Sequence, residues 1–219
     1  MILLLLFTLG YICQNIGNVI LIQNIRRKKN TEGLSFETQI AYLIGAIARI
    51  LWVNHTSLSR YWFVWLELFV SLGISIWMVT LFVKYKNNSF TQISNPFKLP
   101  FLFIGCAVLS FFFHLGNRVS GKWFTAQMLL SFTMFLEASG LLPQIYILRK
   151  IKAVEVTVSN YLFLLAVSRA IRMVFWVVSW LDNKAYGFLM VADLAHTILL
   201  ADFVYYYLKT KRGTPILLH

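Results

Sequence analysis

Seven apolar runs, each close to the length a helix needs to cross a bilayer, follow one another through a chain of 219 residues. They lie at about 1–25, 36–53, 61–83, 99–115, 123–148, 160–181 and 187–208. A crossing takes ~20 residues, with ~17 as the short limit, so the second and fourth runs are near the minimum. Inside lipid no water is available to the backbone, and each run must satisfy its own N–H and C=O groups as a helix. The pattern predicts an all-α polytopic membrane protein with one seven-helix domain and a basic tail at 209–219. Connections are short. Only 84–98, with Asn87-Asn88-Ser89 and Asn95-Pro96, reads as a loop of some length.

Composition agrees. Hydrophobic residues make up 59% of the chain and charged residues 13%, more apolar surface than a soluble chain of this size could bury. The net charge of +12 is not a nucleic-acid footprint, because the lysines and arginines cluster between the apolar runs. The connections 26–35, 84–98 and 149–159, with the tail, hold thirteen of them. The opposite side has four: Arg60, Arg118, Lys122 and Lys184. The positive-inside rule then places the C-terminus in the cytosol and the N-terminus outside or in a lumen. The first run lacks a basic leader and is expected to be a retained helix.

A weak repeat adds detail. The first run ends in Arg26-Arg27-Lys28-Lys29, followed by Glu32, Ser35 and a helix with Arg49. The fifth ends in Arg149-Lys150-Ile151-Lys152, followed by Glu155, Thr157 and a helix with Arg169. Four helices separate these positions, so the triplets they begin point the same way. The expected arrangement is two parallel three-helix repeats joined by a linker helix, 3+1+3.

Charges within the runs carry the functional signal, since each costs ~2.5–3.5 kcal/mol at bilayer depth unless paired or hydrated. They are Arg49, Arg169 and Arg172 against Glu67, Glu137, Asp193 and Asp202, with His114 and His196 nearby. Arg49 lies roughly 20 Å from the start of its helix. Arg169, Arg172 and Trp176 share one helix face. Two readings follow. The arginines, Arg49 and Arg172 above all, line a polar cavity and hold a carboxylate; or pairs such as Glu137–Arg169 are internal ion bridges that fix helix register. Asp202 reads as an interfacial charge, and Asp193 with His196 is a thin basis for a proton relay. No nucleophile constellation, phosphate loop or Cys/His metal motif is present, so neither enzymatic activity nor a cofactor is expected. Cys13 and Cys106 read as small buried hydrophobes.

Glu137-Ala138-Ser139-Gly140-Leu141-Leu142-Pro143-Gln144 resembles the fifth-helix signature of the KDEL receptors, the ER lumen protein-retaining receptors. Thr157-Val158-Ser159-Asn160-Tyr161-Leu162-Phe163 resembles the start of their sixth helix. Gly33-Leu34-Ser35, Gln39 and Arg49 match their second helix, and Asp202-Phe203 with Tyr205 and Tyr207 their seventh. The likeness runs from about residue 30 to 212, and Pro143-Gln144 also fits the wider PQ-loop and SWEET-like group.

The resemblance implies a SWEET-like 3+1+3 fold and a receptor that captures escaped ER proteins by a C-terminal tetrapeptide in the Golgi and returns them in COPI carriers. It implies that Arg49 holds the peptide carboxylate and that Arg169, Glu137 and Trp176 belong to the pocket or its lock. Asp202 is then linked to retrograde transport, and Lys209, Lys211 and Arg212 to coat recognition. The chain departs from the pattern at several pocket positions. Met1 to Ile25 carries no charge, and Ile50, Trp52, Leu130, Ser168, Arg172, Phe175 and Ser179 replace residues of other types. Losing several buried charge-assisted hydrogen bonds, each worth ~1.5–3 kcal/mol, lowers affinity by orders of magnitude. A second reading is therefore a structural subunit of a larger membrane complex, in the mitochondrial inner membrane for example, with neighbouring subunits and lipids as its partners. A third is a SWEET-like small-molecule transporter.

Overall fold

The computed structural model describes residues 2–31, 33–85, 96–114, 125–150, 156–181, and 190–191, 193–194, 197–198, 200–201 and 205. Regular secondary structure among them is entirely helical. The helices are α1 (Ile2–Lys28), α2 (Phe36–Asn54), α3 (Trp62–Tyr85), α4 (Leu99–Phe112), α5 (Ala126–Lys150) and α6 (Val156–Leu181), with a 3-10 turn at Ser57–Arg60. The described residues from 190 to 205 are also helical. Five helices, α1, α2, α3, α5 and α6, are long and apolar enough to cross a membrane. The chain is a polytopic helical membrane protein.

The ends of the helices follow local chemistry. α1 closes on Arg26, Arg27 and Lys28, cations that complement the helix C-terminus. Lys29 stops it with a positive φ of 53°, and its N–H returns to the Ile25 carbonyl. Gly33, at φ 80°, takes a left-handed conformation that a side chain resists. Ser35 then caps α2, its hydroxyl accepting from the Thr38 N–H.

The fourth run is shorter than its sequence implied. α4 has 14 residues, ends at the Phe113 cap, and leaves His114 outside the helix. At ~1.5 Å per residue it covers about 21 Å, short of the ~30 Å apolar core. Most of the run expected at 187–208 lies outside the described residues.

Small residues set the packing. α6 lies on α1 through Gly10 and Gly17, one face of α1. A β-carbon at Gly10 would stand 2.8 Å from Arg172 Cγ, and one at Gly17 3.2 Å from Leu164 Cβ. α5 lies on α2, where Gly140 meets Ala41. Without a hydrophobic drive between helices in lipid, such close backbone contact is what holds them together. α3 fits against both α1 and α2, and α4 against α5. The outward faces of α3 and α4 carry Phe69, Val83, Phe101 and Ile104, exposed as lipid-facing residues should be.

Near the basic connections the interior is apolar, filled by Leu21, Ile22, Ile25, Leu34, Phe82, Leu141 and Ile145 among others. Gln144 crosses that layer's edge. Its amide donates to the Gly33 carbonyl at 2.7 Å and accepts from the Ser35 N–H at 2.8 Å, tying α5 to the chain leading into α2. Deeper in the bundle, the core becomes polar.

Candidate functional site

Six charges converge in that polar core, five of them buried and the sixth, Glu67, partly so. Arg49 comes from α2, Glu67 from α3, Glu137 from α5, Arg169 and Arg172 from α6, and Asp193 from the last helical segment. The formal charges cancel, three basic against three acidic.

The helix periodicity explains the meeting. Arg169, Arg172 and Trp176 recur on one stripe of α6. Glu137 sits on α5 opposite Gly45 of α2, where a β-carbon would be 3.8 Å from its Cγ. Arg169 Nη2 and Arg172 Nη1 both donate to Glu137 Oε2 at 3.1 Å. Their other terminal nitrogens, Arg169 Nη1 and Arg172 Nη2, donate to Asp193 Oδ1 at 3.1 and 2.9 Å. The Trp176 indole N–H donates to Asp193 Oδ2 at 2.8 Å. Two guanidiniums are thus held between two carboxylates, at charge-assisted distances and away from solvent.

Arg49 is placed differently. Its nearest carboxylate oxygens, Glu67 Oε1 and Glu137 Oε1, both stand 3.9 Å away. That is beyond hydrogen-bond reach. Nε and Nη1 of Arg49 have no hydrogen-bond partner although the residue is only 6% exposed. Its guanidinium rests over the Tyr11 ring, 3.9 Å from the centroid, and the Arg172 guanidinium lies 5.0 Å from the same ring. Glu67 is held in turn by the Ser71 hydroxyl, which accepts from the Asn15 amide at 2.7 Å.

The structure therefore brings together Arg49, Arg169, Arg172, Trp176 and Glu137, all singled out by sequence. Arg172, assigned there to a cavity wall, is fully enclosed and uses both terminal nitrogens on protein carboxylates. Asp202, Lys209, Lys211, Arg212 and His196 lie outside the described residues. Asp193, which the sequence set among the acids facing the arginines without choosing a partner for it, ties three α6 side chains together. Tyr11 was not anticipated; its one signal is a polar aromatic within the uncharged stretch Met1 to Ile25. Among the described residues no three His, Cys, Asp or Glu side chains are placed to hold a metal ion. Cys13 and Cys106 are free thiols.

The geometry can be set beside known proteins. A family model described as ER lumen protein retaining receptor matches residues 30–179. An ER lumen protein-retaining receptor of Saccharomyces cerevisiae is 30% identical over 205 residues, 89% of this chain and 90% of that protein. One from Dictyostelium discoideum is 28% identical over 196 residues, 88% of each. ER lumen protein-retaining receptor 3 of Danio rerio is 28% identical over 208 residues, 94% of this chain and 93% of that protein. The match takes in the helices that supply Arg49, Glu67, Glu137, Arg169, Arg172 and Trp176, and the chain belongs to the ER lumen protein-retaining receptor family, the KDEL receptors, a family of receptors and not of enzymes.

Proposed function

We propose that this protein is a multi-pass retrieval receptor of the ER and Golgi that binds lumenal proteins by a C-terminal carboxylate, with Arg49 as the anchoring cation. The observation that carries this reading is the state of Arg49. It is buried, it lacks hydrogen bonds at Nε and Nη1, and its two carboxylate neighbours stay 3.9 Å away. A buried guanidinium in that condition offers a ligand carboxylate charge-assisted hydrogen bonds that the protein does not supply. Tyr11 beneath it fixes its plane.

The fold proposed with this function has seven helices in a 3+1+3 arrangement, N-terminus lumenal and C-terminus cytosolic. The excess of basic residues in the connections on one side supports the orientation. The position of α3 against both α1 and α2 supports a first triplet. Lys209, Lys211 and Arg212 would then face the cytosol as a coat-binding tail, and Asp202 would lie near that end.

The test is direct binding of lumenal-type peptides to the purified protein between pH 5 and 7.5, comparing a free C-terminal carboxylate with its amide. Binding of the free acid alone, lost in Arg49→Leu, supports the reading. No binding of either at any pH refutes it. The second reading, a structural subunit that keeps the fold without the ligand, draws on the mutual neutralisation of the six charges. Co-purification with a stable membrane assembly, together with absent peptide binding, would favour it.

A further inference from the structure

Three donors on α6 point at one carboxylate. Arg169 Nη1 and Arg172 Nη2 reach Asp193 Oδ1, and the Trp176 indole N–H reaches Asp193 Oδ2. All three side chains lie on one stripe of the same helix, and the acid comes from a different segment. Glu137 Oε2 holds the remaining terminal nitrogen of each arginine. The fork is therefore braced from behind, independently of what fills it. Asp193 itself is 1% exposed. Two guanidiniums and an indole N–H converging on a dry carboxylate form an anion site in every chemical respect, except that the anion is part of the chain.

We propose that Arg169, Arg172 and Trp176 form a carboxylate seat, separate from Arg49, which the protein fills with its own Asp193 as a tethered ligand. An external carboxylate can occupy the seat only by displacing Asp193, so the side chain acts as a built-in competitor. This assignment does not depend on the Arg49 reading. It rests on the α6 donors alone.

The seat has a definite size. An Asp side chain is a methylene and a carboxylate, the equivalent of acetate. Asp193→Gly removes all of it and leaves room for acetate. Asp193→Ala keeps the β-carbon and leaves room for formate. Both variants leave a pair of guanidiniums facing Glu137 alone, an excess of buried positive charge that a small carboxylate would neutralise. A ligand that binds only the folded form raises the unfolding temperature as its concentration rises.

The experiment measures thermal unfolding of the full-length protein in mild detergent at neutral pH, read by a dye reactive toward the two free thiols. Sodium formate, sodium acetate and sodium chloride are compared at equal ionic strength. Asp193→Ala is expected to melt several degrees below the wild type and to regain stability in formate more than in acetate. Asp193→Gly should show the reverse preference. The wild type, whose seat is filled, and Asp193→Asn, which keeps the volume, should respond to neither beyond chloride. Carboxylate responses no larger than that to chloride in both small variants, or an equal response in the wild type, would overturn the proposal. Should the small variants not survive extraction, solubilising them in formate or acetate replaces the melt. Recovery of monodisperse protein in carboxylate but not in chloride supports the seat. Failure in all three salts, with Asp193→Asn recovered, refutes it.

Discussion

Gly10 lies directly beneath Arg172: a β-carbon there would come within 2.8 Å of Arg172 Cγ and 3.3 Å of the Ser168 carbonyl oxygen. The charged cluster is therefore seated on a bare patch of α1 backbone, and the depth of the Arg172 side chain is set by the absence of a methyl group. Gly10→Ala should cost about 1–3 kcal/mol through overpacking. The arginine stem would have to shift, disturbing its bonds to Glu137 and Asp193. Gly73→Ala, with nothing within 4 Å, serves as the control. Equal melting temperatures for the two variants would show that α1 has room to yield.

The arginines should separate in their effect on stability. Removing Arg172 leaves Glu137 and Asp193 sharing Arg169, and breaking a buried pair in this way typically costs ~3–5 kcal/mol. Arg49 makes no hydrogen bond through Nε or Nη1 to its neighbouring acids, so Arg49→Leu should destabilise the fold much less. Its effect should fall instead on peptide binding, with affinity reduced about tenfold or more, as loss of a charge-assisted bond worth ~1.5–3 kcal/mol implies. Thermal melts and binding isotherms of the two variants decide the point. A larger melt change for Arg49→Leu would contradict this division.

Trp176→Phe keeps the ring and removes one donor. Asp193 Oδ2 then loses its indole partner while Oδ1 stays bonded to both arginines. A loss of about 1–3 kcal/mol is expected for leaving a buried charged acceptor short of a partner. No change in melting temperature would mean that water takes the donor's place.

Gln144 offers a test at the other end of the bundle. Gln144→Leu strips partners from the Gly33 carbonyl and the Ser35 N–H together. The connection between α1 and α2 should loosen, and trypsin should cut near Lys28 and Lys29 several times faster than in the wild type. Gln144→Glu keeps an acceptor for the Ser35 N–H and should lie between the two. An unchanged cutting rate in Gln144→Leu would place the stability of this connection elsewhere, in the Ser35 cap for instance.

Much of the fold was legible because lipid allows few alternatives. The apolar runs pointed to a polytopic helical protein, and α1, α2, α3, α5 and α6 are long and apolar enough to cross a membrane. The overlong fourth run shows the limit of hydropathy, which does not register where a backbone leaves the helix: Phe113 and His114 are no less compatible with a helix by composition than the residues before them. The site was legible in part. Depth along a helix can be estimated from residue spacing, and the bridge between Glu137 and Arg169 was one of the two readings the sequence offered. Rotation of one helix against another could not. Whether Asp193 faces lipid, His196 or α6 depends on packing between segments 21 residues apart, and a single sequence holds no record of it. The same gap hid the cation–π contact of Tyr11 with Arg49, which lies across two helices.

The neutral sextet also bears on how the protein is made. Emerging from N- to C-terminus, Arg49 finds its first acid as soon as α3 brings Glu67. α5 then adds an unpaired acid, α6 reverses the imbalance with two arginines, and only the segment holding Asp193 restores neutrality. Until then α6 carries a cation with no carboxylate of its own. During synthesis it must remain sheltered, against α5 or beside the insertion machinery, and a nascent chain stopped before residue 193 is a natural substrate for membrane quality control.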